Sequence, residues 1–415
     1  MKKLLFLSVI SIFACSTDSE GNPCIYEPTL STEAVTDITE TSATLNGIIA
    51  IVSENCDVPN NAEQGFVYST EIQPTLEDIQ VNVNGTSIST TIEGLEPNTT
   101  YYVRSFLTNN LGDFYGNEME FTTNEGCDVV YLDENGVTIK ACDDAIVGNV
   151  GTVSGIEYTV VDRAMLDEML SNDEDLTKAC TTRITDMNSM FWDNISFNQD
   201  IGSWDVSNVT NMRNVFTNSA FNQDIGNWDT NSVTDMTSMF LVSVFNQPIG
   251  NWNVSNVIDM NGMFARSVFN QPIGNWNVSN VTDMTNMFSG SAFNQPIENW
   301  NVSSVIYMTY MFSSSVFNQP IENWNVSNVI YMTNMFSLSS SFNQPIGNWN
   351  VSNVVDMYAM FMGTDNFNQP IGNWNVSNVT NMRNMFNLSS SFNQPIGNWD
   401  VSNVTNMGVM FSSSV

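Results

Sequence analysis

Forty-four carboxylates, ten basic side chains, six cysteines and no histidine define the chemistry open to this chain of 415 residues. Without imidazole there is no general base titrating near neutral pH and no Ser-His or Cys-His nucleophile pair, and the commonest metal ligand is missing. The acids are scattered. Their densest run, Asp173-Glu174-Asp175, lacks the spaced Asp/Asn and the Gly of a calcium loop and reads as a solvated turn. Cys24, Cys56, Cys127, Cys142 and Cys180 fit neither a zinc site nor a redox pair. No catalytic residue, metal or cofactor is therefore expected, and no enzymatic activity.

The regular chemistry lies elsewhere, in Trp204, Trp228, Trp252, Trp276, Trp300, Trp324, Trp349, Trp374 and Trp399 and the amides around them. Exposed indoles stack on sugars, whereas inward ones fill a core; the inward reading is favoured, with Met and Phe rows filling in beside them. The residues flanking each Trp point outward and are nearly all Asn. Asn251, Asn253, Asn275, Asn277, Asn299, Asn301, Asn323, Asn325, Asn348, Asn350, Asn373 and Asn375 form the candidate binding face. Amides donate and accept hydrogen bonds. Such a ladder could meet glycans or extended peptides at many weak points, or its members could simply bond one another along the stack; both readings stay open.

The element that must position these residues is a repeat. The Trp spacing is 24 five times and then 25 three times, over residues 183–415. A fixed period of this length reads as a solenoid. In each unit, Ile249, Trp252 and Val254 are expected to form a strand, stacked about 4.8 Å from the next. Val257, Met260, Met263 and Phe264 should form one face of a helical or 3₁₀ turn, and Pro248 a bend. The second unit departs at Thr230, which stands at the Val position, and the sequence stops at Val415 inside a unit.

The unit F-N-Q-[DP]-I-x-x-W-[DN]-V-S-x-V-x-x-M-x-x-M-F closely resembles the repeat of BspA-family leucine-rich-repeat surface proteins, found in Bacteroidota, mycoplasmas and other surface-associated bacteria. The lead-in Glu134 to Lys140 and Tyr158 to Asp162 also resembles the region before that family's repeats. The resemblance implies a leucine-rich-repeat-type solenoid and adhesion to host, matrix or neighbouring-cell proteins or glycans.

The first residues read as an export signal. Met1-Lys2-Lys3 is basic, Leu4 to Phe13 is apolar but too short to span a bilayer, and Ile12-Phe13-Ala14-Cys15 resembles a bacterial lipobox. Residues 1–15 would thus be a lipoprotein signal ending in the acylated Cys15. Residues 16–27 would be a tether whose acidic start resembles the surface-export signal of Bacteroidota lipoproteins. The expectation is a cell-surface, outer-membrane lipoprotein held to the membrane by lipid alone.

Residues 28–124 carry short alternating runs between turn signals, as a β-sandwich should. Asn84-Gly85, between Val81-Asn82-Val83 and Ser87-Ile88-Ser89, is a hairpin signal. Leu95-Glu96-Pro97-Asn98-Thr99-Thr100-Tyr101 resembles the L-x-P-x-T-x-Y motif of fibronectin type III domains, in which the Tyr hydroxyl bonds back to the backbone. That resemblance implies a Cys24–Cys56 disulfide, because it brings those segments to one end. A spacer role is favoured over ligand binding for this domain.

Residues 125–182 would be a junction capping the solenoid, with an Asn135-Gly136 hairpin, a strand at Gly155 to Val161 and a short helix from Ala164 to Leu170 capped by Asp162. A Cys142–Cys180 bridge would tie it together, with Cys127–Cys142 as the alternative. The whole would be mainly β with short helical turns. Its net charge of -34, with no Lys after Lys178, excludes phosphate-mediated binding of nucleic acid. The expected function is adhesion or protein interaction. A glycan-binding part of a polysaccharide uptake system, or a purely structural surface element, are the alternatives.

Overall fold

The computed structural model describes residues 25–54 and 63–414. It falls into two compact units, Met1–Cys127 and Asp128–Val415. The export signal with Cys15, most of the tether and both cysteines of the Cys24–Cys56 pair lie outside the described residues.

The first unit is built from β1 (Ile25–Thr32), β2 (Ser42–Glu54), β3 (Glu63–Ser69), β4 (Ile79–Asn82), β5 (Ser87–Glu93), β6 (Thr100–Asn109), β7 (Gly112–Tyr115) and β8 (Met119–Thr122). They make two antiparallel sheets, one ordered β1-β2-β5, the other β4-β3-β6-β7 with β8 also on β6. Alternation decides which side chains turn inward. Ile88 and Ile92 on β5 and Ala43, Leu45 and Ile49 on β2 share one core with Phe66, Tyr68, Tyr101, Val103 and Phe121 of the other sheet. The Tyr101 hydroxyl accepts from the Glu96 backbone N–H at 3.0 Å, closing the turn at Leu95 to Thr100.

Two expectations are corrected here. The strand β1 begins at Ile25, so the tether does not extend to residue 27. The Asn84-Gly85 segment does not close a hairpin: β4 pairs with β3 and β5 with β2, so the chain crosses between sheets there. Ile88 and Ile92 gain burial by crossing, which outweighs the local turn preference.

The second unit opens with β9 (Val130–Leu132) and β10 (Ile139–Ala141), an antiparallel pair turning at Asn135-Gly136. There the Asn135 side chain accepts from the N–H groups of Val137 and Thr138, and Gly136 takes the left-handed conformation. The strands β11 (Val150–Val153) and β12 (Ile156–Val160) follow, then helix α1 (Arg163–Ser171). The Asp162 carboxylate caps α1 by accepting from the Met165 N–H at 2.9 Å. A 3₁₀ turn at Leu176–Lys178 leads into β13 (Ala179–Cys180), which pairs in parallel with β12.

Cys180 is a free, buried thiol, so the expected Cys142–Cys180 bridge does not form. Its sulfur faces inward, 3.6 Å from the Ile139 carbonyl oxygen and 3.7 Å from the Thr182 hydroxyl. Cys127 and Cys142 are each disulfide-bonded.

Beyond β13 the repeats stack coil on coil. Residues from Asp186 through Asp259 and Tyr331 to Asn406 join successive coils by nine parallel bridges. In one coil the N–H groups of Met260, Gly262, Phe264 and Arg266 donate to Asp283, Thr285, Met287 and Ser289 of the next. The intervening Met263, Ala265 and Ser267 donate three residues back within their own coil. This alternation needs left-handed backbone twice per coil, as at Gly262 and Arg266 or Tyr310 and Ser314.

The backbone ladder therefore runs through the Met-x-x-Met-Phe segment, where a helical or tight 3₁₀ turn was expected; the bonds three residues back are of the 3₁₀ kind, but every second N–H leaves the coil. The Ile249-to-Val254 segment, expected as the strand, makes no coil-to-coil backbone bond. Trp252 and Val257 instead donate to Ile249 and Val254 in tight turns. One buried core runs from Val161 to Met410. The protein is thus mainly β, with a repeat domain; α1 is the only α-helix among the described residues.

Candidate functional site

All nine repeat tryptophans are buried, from Trp204 at 0% exposure to Trp399 at 8%. Trp252, Trp276 and Trp300 lie parallel with ring centres 6.5 Å apart, so neighbouring indoles cover their faces. The Trp row offers no platform to a sugar. From Trp228 on, each indole N–H instead donates to the Ile carbonyl of the preceding coil, as Trp252 does to Ile225 at 3.0 Å. At the start of the stack Trp204 donates to Leu176 of the 3₁₀ turn, which stands in for a coil.

The amides divide by position. In the F-N-Q segment, the Asn270 side-chain oxygen accepts from the Asn294 backbone N–H at 2.9 Å and from Gln295 Nε2 at 3.2 Å. The same bonds recur from Asn222 to Asn393. In the V-S-N segment Asn280 Nδ2 donates to the Ser255 carbonyl one coil back. Sequence reading missed both ladders. The signal was there in the invariance of F-N-Q among units whose turn residues vary.

The candidate face behaves differently. All twelve of its asparagines are exposed. Asn277, Asn301, Asn325, Asn350 and Asn375 each accept from the Ser N–H two residues on, an Asx turn that stiffens the coil. Asn253 does the same and also donates to Asn231. The residues preceding Trp, namely Asn251, Asn275, Asn299, Asn323, Asn348 and Asn373, bond to no described residue. Asn251, Asn275 and Asn299 line a groove of about 460 Å³ with Pro248, Pro272 and Pro296. Gly250 forms part of its floor, where a Cβ would stand 2.7 Å from the Pro272 carbonyl oxygen. Glu298 and Glu322 replace this Gly in two coils. At the same bend, Asp200 and Asp224 replace Pro and bond the N–H of Gly202 and Gly226 instead. Thr230 is buried and its hydroxyl donates to the Asn253 carbonyl, which accounts for a polar residue at a Val position.

Along the bridged column, Asp235, Asp259 and Asp283 give way to Tyr307 and Tyr331, whose rings stack 5.5 Å apart on the surface. Burial pushes the Asp259 carboxyl above the usual range; the Asn261 N–H pulls the other way, and Asp283 and Asp235 add repulsion. Sequence reading did not single out the Tyr pair, although V-I-Y-M in place of V-T-D-M marks it. Among the described residues no three His, Cys, Asp or Glu side chains are placed to hold a metal ion, and no helix is long and apolar enough to cross a membrane.

The class is thus a mainly β protein whose larger unit is a stack of near-identical coils. The family described as "Mycoplasma protein of unknown function, DUF285" matches residues 162–268, 265–365 and 314–415, more than half of the chain, and the chain belongs to that family. No curated protein matches the chain. Among solved structures it is similar to the sensor domain of the anti-sigma factor RsgI4 of Pseudobacteroides cellulosolvens, at 20% identity over 23% of this chain and 74% of that one, with a TM-score of 0.19.

Proposed function

We propose that this protein is a cell-surface interaction module, an adhesin that presents its stacked coils to protein or glycan partners. The observation that carries the reading is the row of exposed asparagines before each Trp from Trp228 to Trp399. They are spaced one per coil and bond to no described residue, and Asn251, Asn275 and Asn299 border a groove. Amides used for stacking are satisfied elsewhere in the coil, so this row is free to bond a ligand. Repetition suits weak contacts multiplied along an extended partner. A row of near-identical units also suits binding better than a unique catalytic pocket.

In this reading the repeats form a leucine-rich-repeat-type solenoid of the BspA kind, with lipid on Cys15 holding the chain to an outer membrane. The first unit is a fibronectin type III-like spacer; the bond from Glu96 N–H to the Tyr101 hydroxyl supports that likeness. A glycan-binding role in polysaccharide uptake is the second reading, favoured by the same free amides.

The test is binding of the full chain to cells, matrix proteins and a glycan array, compared with a variant carrying Asn251→Ala, Asn275→Ala and Asn299→Ala. Loss of binding with unchanged melting supports the proposal. Binding to nothing, or equal binding by the variant, overturns it.

A further inference from the structure

The turn side of the stack changes chemistry over three successive coils. Arg266, Gly290 and Ser314 follow one another in one left-handed column, and Gly262, Asn286 and Tyr310 in another. Arg266, Asn286, Ser289, Gly290, Tyr310 and Ser314 line a depression of about 340 Å³. Gly290 makes the room: a Cβ there would stand 3.3 Å from Arg266 Cγ, so the Arg side chain runs along the gap. The backbone also suits Gly, with φ of 64°.

The groups around this gap are unspent. The Arg266 guanidinium forms no ion pair and no hydrogen bond among the described residues, in a chain with 44 acids. The side chains of Asn286, Ser289 and Ser314 likewise bond to no described residue, and the Tyr310 ring is 39% exposed.

We propose that this depression binds a sugar residue bearing a single carboxylate, of the uronic or sialic acid kind. Arg266 takes the carboxylate with its planar fork. The Tyr310 ring lies against the apolar side of the sugar ring. Asn286, Ser289 and Ser314 match hydroxyls, which like them both donate and accept. A volume near the lower end of small-molecule sites suits one such unit. Net charge argues in the same direction. A chain at -34 repels densely charged polyanions, and one cation answers one carboxylate. An acidic peptide would satisfy Arg266 but leave the ring and the hydroxyls idle.

The inference rests on the surface-interaction reading for its setting and deepens it by naming a ligand class. The test titrates the full chain with sialyllactose and with a glucuronate-terminated trisaccharide, each beside its analogue with the carboxyl reduced to an alcohol. Three variants borrow residues that other coils carry in the same columns: Arg266→Ser, Gly290→Leu and Tyr310→Asn. The carboxylated sugars should bind at least about tenfold more tightly than the reduced ones. R266S should erase that difference, Y310N should weaken both forms, and G290L should abolish binding while the chain stays folded, with a lower Tm because Leu is strained in the left-handed backbone. No binding of either carboxylated sugar, or binding indifferent to R266S and G290L, overturns the proposal. Equal affinity for a Gly-Glu-Gly peptide transfers the site to peptides and overturns it too. Adhesion to cells or matrix without binding of these sugars sinks the sugar site and leaves the adhesin reading standing; sugar binding without adhesion does the reverse.

Discussion

The indole Nε1–H of Trp276 donates to the carbonyl oxygen of Ile249, one coil back, at 3.1 Å. The segment holding Ile249 makes no backbone bond to a neighbouring coil, so this side-chain bond does there what the ladder does at Met260 to Arg266. Trp fills the core and closes a buried polar group with one side chain.

Trp276→Phe should separate the two roles. It keeps most of the apolar ring and removes the donor, leaving the Ile249 carbonyl with only its bond from the Trp252 N–H, at a cost of about 0.5–1.5 kcal/mol. Trp276→Ala, which also leaves a cavity, should cost about 3–5 kcal/mol. Because coils contact only their neighbours, the loss should appear as local opening around residues 249–300 in amide hydrogen exchange, beside a lower urea midpoint. A Phe variant as stable as wild type would show that the bond adds nothing.

Two asparagines of one coil should differ sharply. Asn294 Oδ1 accepts from the Asn318 N–H at 2.9 Å and from Gln319 Nε2 at 3.2 Å. Asn299 is exposed and bonds to no described residue. Asn294→Leu should destabilise by about 1–3 kcal/mol, whereas Asn299→Ser should stay within about 0.5 kcal/mol. Thermal melts of the two variants compare them directly, and equal effects would remove the distinction between stacking and free amides.

The same pair shows how far the sequence could be read. The Trp period, the burial of Trp and Met, and the exposure of Asn299 follow from side-chain chemistry and repetition, and were legible. The location of the ladder was not. Ile249-x-x-Trp252-x-Val254 has a strand-like alternation, yet its carbonyls are bonded by an indole and by local turns. The Met260-to-Arg266 segment has helix-like spacing, yet left-handed residues at Gly262 and Arg266 turn every second N–H toward the next coil. Val242 and Leu338 adopt that left-handed backbone against their own preference, which no local rule would assign. The Arg266 depression needs residues from three coils, so a search within one unit passes over it.

Acid should act on Asp259 with a definite sign. Burial raises its folded pKa above the unfolded value, and the carboxylates of Asp283 and Asp235 add to the rise. A raised carboxyl costs the folded state stability when ionised, fully above the folded pKa and not at all below the unfolded one. Asp259→Asn should therefore raise Tm at pH 7. The advantage should shrink as pH falls through the raised pKa toward the ordinary carboxylate value. The fold tolerates the change, since Asn211 and Asn381 hold the same position and accept from the N–H two residues on, as Asp259 does. Melting curves of both proteins from pH 7 to pH 4 measure it, and a gap that widens with acid would contradict the assignment.

Cys180 should be silent in the native protein. It is fully buried, and burial pushes its thiol above the usual range, opposed by bonds to Thr182. Thiolate, not thiol, reacts with alkylating agents, so both inaccessibility and the raised pKa slow the reaction. Iodoacetamide at pH 8 should leave Cys180 unmodified in folded protein and label it fully in 6 M guanidinium, read by mass spectrometry of the peptide containing it. Cys127 and Cys142, being oxidised, should be labelled only after reduction. If Cys180 proved unreactive in denaturant until reductant was added, it would be disulfide-bonded in solution, and the free thiol beneath β10 would be wrong.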